Sequence, residues 1–144
     1  MKKYLQTIVL FGILLSIVNF NLYPQVIDKS ENWIKVAEGL NFPEGPAYDG
    51  KASVYFSNCY GGWIAKYSAG ITDTFVSISN DSLLIEKTNG LACGVDGNLY
   101  VCEYGKGQIL RINKNAQIEV LADGYDGKRF NRPNDIIIDE NGNL

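Results

Sequence analysis

Histidine is absent from the 144 residues. That absence removes Ser-His-Asp triads, Cys-His pairs and histidine-ligated zinc or iron from the available chemistry. Oxygen donors, carboxylates and arginine remain. Basic runs are missing as well. Lys and Arg number 13 against 16 Asp and Glu, a net charge of −3, and no cluster builds a face for a phosphate backbone, so no nucleic-acid partner is expected. Cysteine is scarce, with Cys59, Cys93 and Cys102 forming an odd set without C-x-x-C spacing. They read most simply as small buried hydrophobes in strands, and a Cys93–Cys102 bridge between paired strands is the alternative. A nucleophilic role is disfavoured because no histidine can activate a thiol. Heptads, long amphipathic helices and βαβ alternation are also lacking. The composition, 46% hydrophobic and 20% charged, is that of an ordinary globular protein, with one domain as the default.

The amino terminus has the layout of an export signal. Met1-Lys2-Lys3 precedes an apolar run from Ile8 to Val18, and polar residues follow from Asn19. An apolar segment of about 7–15 residues suits a secretory leader, whereas a spanning helix needs roughly 20. Residues 1–25 are therefore expected to be a cleaved signal peptide, with an uncleaved anchor as the alternative. Export to the periplasm or the medium follows, without stable membrane insertion after cleavage. Losing Lys2 and Lys3 leaves 11 basic against 16 acidic side chains, a mature charge of −5.

A repeat of 45 residues organises the rest. Glu44-Gly45-Pro46-Ala47 with Val54-Tyr55-Phe56-Ser57 recurs as Asn89-Gly90-Leu91-Ala92 with Leu99-Tyr100-Val101-Cys102. The same offset carries Gly62–Tyr67 onto Gly107–Ile112 without a gap, and a third copy opens at Asn134. Each copy holds short β-type runs divided by turn residues; Asp96-Gly97 and Asn141-Gly142 supply the positive φ of tight hairpins. Four strands per 45 residues describe a propeller blade, so the fold expected is all-β. Blades fall at about 44–76 and 89–121, with a truncated third at 134–144. Trp33–Gly39 resembles the outermost strand of the second blade without strands of its own before it. Such an orphan usually completes a propeller's last blade.

Innermost strands of successive blades converge on the propeller axis, so equivalent positions can share one ion. The residues opening the three inner strands are Glu44, Asn89 and Asn134. A carboxylate and two amides suit a hard cation such as Ca²⁺, which takes 6–8 oxygens. The two asparagines also have a plainer reading, as residues that shape the turn into the strand. Glu44, between Pro43 and Gly45-Pro46, has no turn-forming reason to be there.

These residues resemble a known family. Phe42-Pro43-Glu44-Gly45-Pro46, Asn89-Gly90-Leu91 with Leu99–Glu103, and Asp126–Asp135 with its Arg132-Pro133-Asn134-Asp135 are similar to the gluconolactonase, regucalcin and luciferin-regenerating-enzyme family. The resemblance covers about residues 33–144. It implies a six-bladed propeller, of which residues 26–144 are an amino-terminal part of about two and a half blades. It implies one catalytic divalent ion on the axis, Ca²⁺ foremost, with Zn²⁺, Mg²⁺ or Mn²⁺ also possible. Glu44 becomes a direct metal ligand, with Asn134 binding the metal or its water and substrate. Arg132 becomes the residue that contacts substrate oxygens, a role suited to its planar fork of donors; a surface ion pair is the alternative. Asp135 is expected to hold the loop, and Glu103 to sit off the axis. The reaction expected is hydrolysis of a small-molecule, sugar-type lactone, with a carboxylate as general base because histidine is lacking. A non-enzymatic propeller binding a sugar, peptide or partner protein is the rival, since fold alone does not exclude it.

Overall fold

The computed structural model describes residues 32–77 and 84–144; the expected leader, residues 1–25, lies outside the described residues. Within Lys35–Leu144, one compact unit, the structure is all-β. The first four strands are β1 (Pro43–Tyr48), β2 (Ser53–Asn58), β3 (Trp63–Ser68) and β4 (Ile71–Ser77), with a 3₁₀ turn at Cys59–Gly61. The next four are β5 (Thr88–Cys93), β6 (Leu99–Glu103), β7 (Gln108–Ile112) and β8 (Ile118–Ala122). Each set pairs in chain order as an antiparallel four-stranded sheet. These are two successive propeller blades.

The repeat persists at the level of register. Pro43 faces Asn58 in the first blade, and Thr88 faces Glu103 one repeat later. A bulge interrupts β1 between Glu44 and Ala47, and another interrupts β5 between Thr88 and Leu91. The outer pairs match too, with irregularities at Ile64/Ala65 and Ile109/Leu110. A bulge inserts one unpaired residue, bends its strand and re-aims its side chains. Here both bulges on inner strands fall at the expected site positions.

Turn chemistry closes the blades. Asp49 accepts the N–H groups of Lys51, Ala52 and Ser53 at 2.9, 2.9 and 3.0 Å. Those bonds, Ser53's foremost, hold its carboxyl down at about 2. Asp139, two repeats on, accepts from the N–H of Asn141 and Asn143 at 2.9 and 2.8 Å. The third copy thus builds its turn, yet residues 131–144 contain no strand. A strand is defined by its ladder, and this segment has no ladder partner among the described residues. Residues 32–39 are likewise outside any strand, although the Val36 carbonyl accepts the Thr72 hydroxyl of β4. Between β8 and the third copy lies a small hairpin of β9 (Gly124–Tyr125) and β10 (Lys128–Arg129). Its two turn residues, Asp126 and Gly127, have the positive φ of a type I′ connection.

One continuous core joins the blades. Ala47, Ile64 and Val76 of the first pack with Leu91, Leu99, Val101, Leu110 and Ile112 of the second, together with Ile85 from the connection. Tyr55 and Phe75 border it edge to face, ring centroids 5.0 Å apart. Each fully buried aliphatic side chain contributes about 1.5–3 kcal/mol. The cysteines are free, with Cys59 and Cys102 buried. Cys93 faces Leu99 while Cys102 faces Ile109, so the two are not paired across the ladder and the bridge is not formed.

Candidate functional site

Glycine sets how closely the inner strands approach. A Cβ on Gly45 would run into the Asn89 carbonyl and stand 2.7 Å from the Gly90 Cα; one on Gly90 would stand 2.6 Å from the Asn134 carbonyl. Gly45 and Gly90 are one repeat apart, so the same requirement recurs where each inner strand meets the next. Two hydrogen bonds fasten the approach. Ser57 Oγ donates to the Asn89 carbonyl at 2.7 Å, and Gly90 N–H donates to the Asn134 carbonyl at 2.8 Å.

Around this contact lies a polar cavity of about 250 Å³, lined by Glu44, Asn89, Asn134 and Asp135 with the glycines between them. The three repeat-equivalent residues therefore surround one space. Asn89 is buried, Glu44 half-buried, and Asn134 and Asp135 exposed. Asp135 is a second carboxylate at the cavity. One of its oxygens accepts the N–H of Ile136 at 2.9 Å, which ties it to the local chain. Among the described residues no group of three or more His, Cys, Asp or Glu is placed to hold a metal. Two carboxylates and two amides remain an all-oxygen set, and its chemistry fits a hard cation such as Ca²⁺ better than a thiolate-seeking one. It offers fewer than the 6–8 oxygens Ca²⁺ takes, so water or further groups would complete the shell.

Arg132 does not line this cavity. Its guanidinium lies over the Tyr104 ring, 5.4 Å from the centroid, and Nη1 donates to the Tyr104 hydroxyl at 3.4 Å. The Arg132 backbone is left-handed at φ 56°, directly before Pro133. Phe42, directly before Pro43 and two residues before Glu44, has φ 62°. Positive φ is uncommon for residues other than glycine and is retained where the surroundings over-determine it, often at functional sites. Ala69, Ala116 and Asp126 share it in turns away from the cavity, whereas the two pre-proline positions, Phe42 and Arg132, fall two residues ahead of the cavity residues Glu44 and Asn134.

Glu103 plays a part that the pattern of residues alone left undefined. It is fully buried and accepts N–H groups from Glu86 at 2.8 Å, from Lys87 and from Lys106. One repeat earlier, buried Asn58 accepts the N–H of Asn41. In each blade a buried polar residue ending the second strand thus clamps the segment that leads into the inner strand. The 45-residue offset relating Asn41 to Glu86 and Asn58 to Glu103 was the signal that could have revealed it. A larger cavity of about 620 Å³ touches Glu44 from the other side, along Val36, Leu40, Val54, Phe56 and Tyr67. Its walls are mainly apolar, with Lys35, Glu44 and Tyr67 also lining it.

Comparison with known proteins agrees with this fold. Residues 42–144 match the family described as SMP-30/Gluconolactonase/LRE-like region. Among curated proteins, the Arabidopsis thaliana protein strictosidine synthase-like 4 is 29% identical over 111 residues, covering 73% of this chain and 28% of the relative. A gluconolactonase of Zymomonas mobilis is 38% identical over 56 residues, covering 38% of this chain and 16% of that protein. Among solved structures, a gluconolactonase from Xanthomonas campestris superposes with a TM-score of 0.67 at 28% identity, covering 74% of this chain and 35% of that one. A putative gluconolactonase gives 0.65 at 26% identity, with 76% and 37% covered. The chain thus spans about a third or less of the length of these relatives. With two blades in place and the family's match running from Phe42 to Leu144, the chain belongs to the SMP-30/gluconolactonase/LRE-like family as part of a β-propeller.

Proposed function

We propose that this chain forms part of a metal-dependent hydrolase that opens sugar-type lactones. Glu44, Asn89 and Asn134 would hold one divalent cation, Ca²⁺ foremost, and Arg132 and Asn134 would bind substrate. The observation carrying this reading is the convergence of three residues, spaced 45 apart in sequence, around one polar cavity. A cation held there supplies Lewis acidity toward an acyl oxygen.

The chain's own groups do the rest. Glu44 brings the full negative charge that a hard cation needs, and the asparagines bring neutral oxygens that orient without further charge. The Arg132 fork donates to the ring and hydroxyl oxygens of a lactone. Within these 144 residues, which hold no histidine, a carboxylate is the available acceptor for the proton released by the attacking water. Support for a lactone as substrate comes from family membership and from the gluconolactonases among its relatives.

Calorimetric titration with Ca²⁺ of the full-length protein of which this chain forms part tests the reading through Glu44→Gln and Asn89→Ala. Glu44→Gln is expected to weaken binding far more, because water replaces one amide oxygen more readily than it replaces a charge. Equal affinity in Glu44→Gln and the parent would remove Glu44 from the site. A parent that neither binds the ion nor opens lactones would return the propeller to the binding-module reading. We also propose export, with residues 1–25 as leader. Mass spectrometry of the mature amino terminus tests this, and an intact Met1 on the exported protein would refute cleavage.

A further inference from the structure

We propose that Tyr104 is the positioning residue for Arg132 and so tunes which oxygen-rich substrates the site accepts. This rests on Arg132 being the substrate-binding guanidinium. Two contacts of different kind join the pair: the ring face, 5.4 Å from the guanidinium carbon, and the hydroxyl, 3.4 Å from Nη1. They cross between repeats. Tyr104 follows β6 of the second blade, which also carries Asn89 on β5, whereas Arg132 lies two residues before Asn134, where the third copy opens. The contact therefore ties the guanidinium to the blade that carries one of the cavity's own residues.

Tyr104 is itself firmly held. Its N–H donates to the Lys87 carbonyl at 2.8 Å, and the neighbouring Glu103 is the buried clamp. The same turn ends at Gly107, whose N–H donates to the Glu103 carbonyl at 3.0 Å. At φ 70°, Gly107 leaves room for the Phe130 carbonyl, which a Cβ there would strike. The turn from Tyr104 to Gly107 thus supports the chain at Phe130 and the side chain at Arg132. In the first blade the repeat-equivalent left-handed residue before proline, Phe42, packs against a tyrosine on the turn after the second strand: Tyr60, at 5.0 Å between ring centroids. A free arginine loses much rotamer freedom on binding a ligand. Stacking on a fixed ring spends part of that loss beforehand, which is preorganisation.

The test is steady-state hydrolysis of gluconolactone by the full-length protein of which this chain forms part, and by its variants. Tyr104→Ala is expected to raise KM about two- to five-fold, the size of one exposed cation–π contact, with kcat, Ca²⁺ affinity and thermal midpoint near the parent's. Tyr104→Phe keeps the ring and should retain most of the effect. Tyr104→Leu, which keeps bulk without a π face, should behave like alanine and serves if alanine fails to fold. In an Arg132→Lys background, Tyr104→Ala should add little, because the two side chains act through each other. An unchanged KM in the alanine and leucine variants, with Arg132→Lys impaired, would overturn the role of Tyr104 and spare that of Arg132. Parental kinetics in Arg132→Lys, or a parent without lactonase activity, would overturn both.

Discussion

Replacing Gly90 with alanine isolates the steric demand at the centre of the site. Gly90 lacks the positive φ of Gly45, so alanine fits its backbone and the cost is spatial. The new Cβ would stand 2.6 Å from the Asn134 carbonyl, 2.7 Å from the Asp135 Cα and 2.8 Å from an Asp135 carboxylate oxygen, where ordinary contact begins at 3.4 Å. Relief requires the third segment to recede by about 0.8 Å, the difference between 3.4 and 2.6 Å. That stretches the 2.8 Å bond from Gly90 N–H to the Asn134 carbonyl to about 3.6 Å, beyond hydrogen-bond range. Overpacking of this kind costs about 1–3 kcal/mol and the lost bond about 1 kcal/mol more, offset in part by the stiffer unfolded chain that alanine brings. A net loss of about 1–3 kcal/mol follows. Because cation–oxygen distances are held within a few tenths of an ångström, the same displacement should weaken Ca²⁺ binding about tenfold or more. Gly97→Ala is the control. It has φ 80° and open space around its Cβ, so it should cost about 1 kcal/mol of backbone strain and leave ion affinity alone. Urea unfolding and calorimetric titration measure the two quantities. Parental stability and ion affinity in Gly90→Ala would refute the close approach of the inner strands.

Two further predictions concern the buried Glu103 and the shielded thiols of Cys93 and Cys102. Glu103→Ala should destabilise the chain by about 3 kcal/mol or more, since three backbone N–H groups lose their acceptor, while Glu103→Gln should cost about 1–3 kcal/mol because one N–H then faces an amide donor. Chemical denaturation of both variants reads this, and equal losses would show that the carboxylate is not the clamp. Burial pushes the Cys93 and Cys102 thiols up to about 11. In the unfolded chain they ionise near pH 9 and in the folded chain near 11, so unfolding releases protons across that window. Stability should be full below pH 9 and fall as pH rises toward 11. A flat urea midpoint across that range, or rapid native alkylation at pH 8, would contradict the burial.

Periodicity made the architecture legible. A 45-residue offset carries the same short strands and bulge positions in the two four-stranded copies and the same turn residues into the third, and strand pairing within a blade is local, so Glu44, Asn89 and Asn134 are equivalent positions on sequence grounds. Their residue types supply oxygen donors, which is the set the proposed hard cation needs. Tertiary structure decided what depends on contact between copies. It placed the Arg132 guanidinium over Tyr104 rather than on the cavity wall, and it brought Asp135 to the cavity beside Asn134. It also turned Glu103 into a clamp for segments 16 and 17 residues earlier in the chain. A repeat records which positions are alike within each blade. How one blade's turn supports the next blade's first residues is settled only when the two pack, because side-chain rotamers and left-handed backbone angles answer to neighbours distant in sequence.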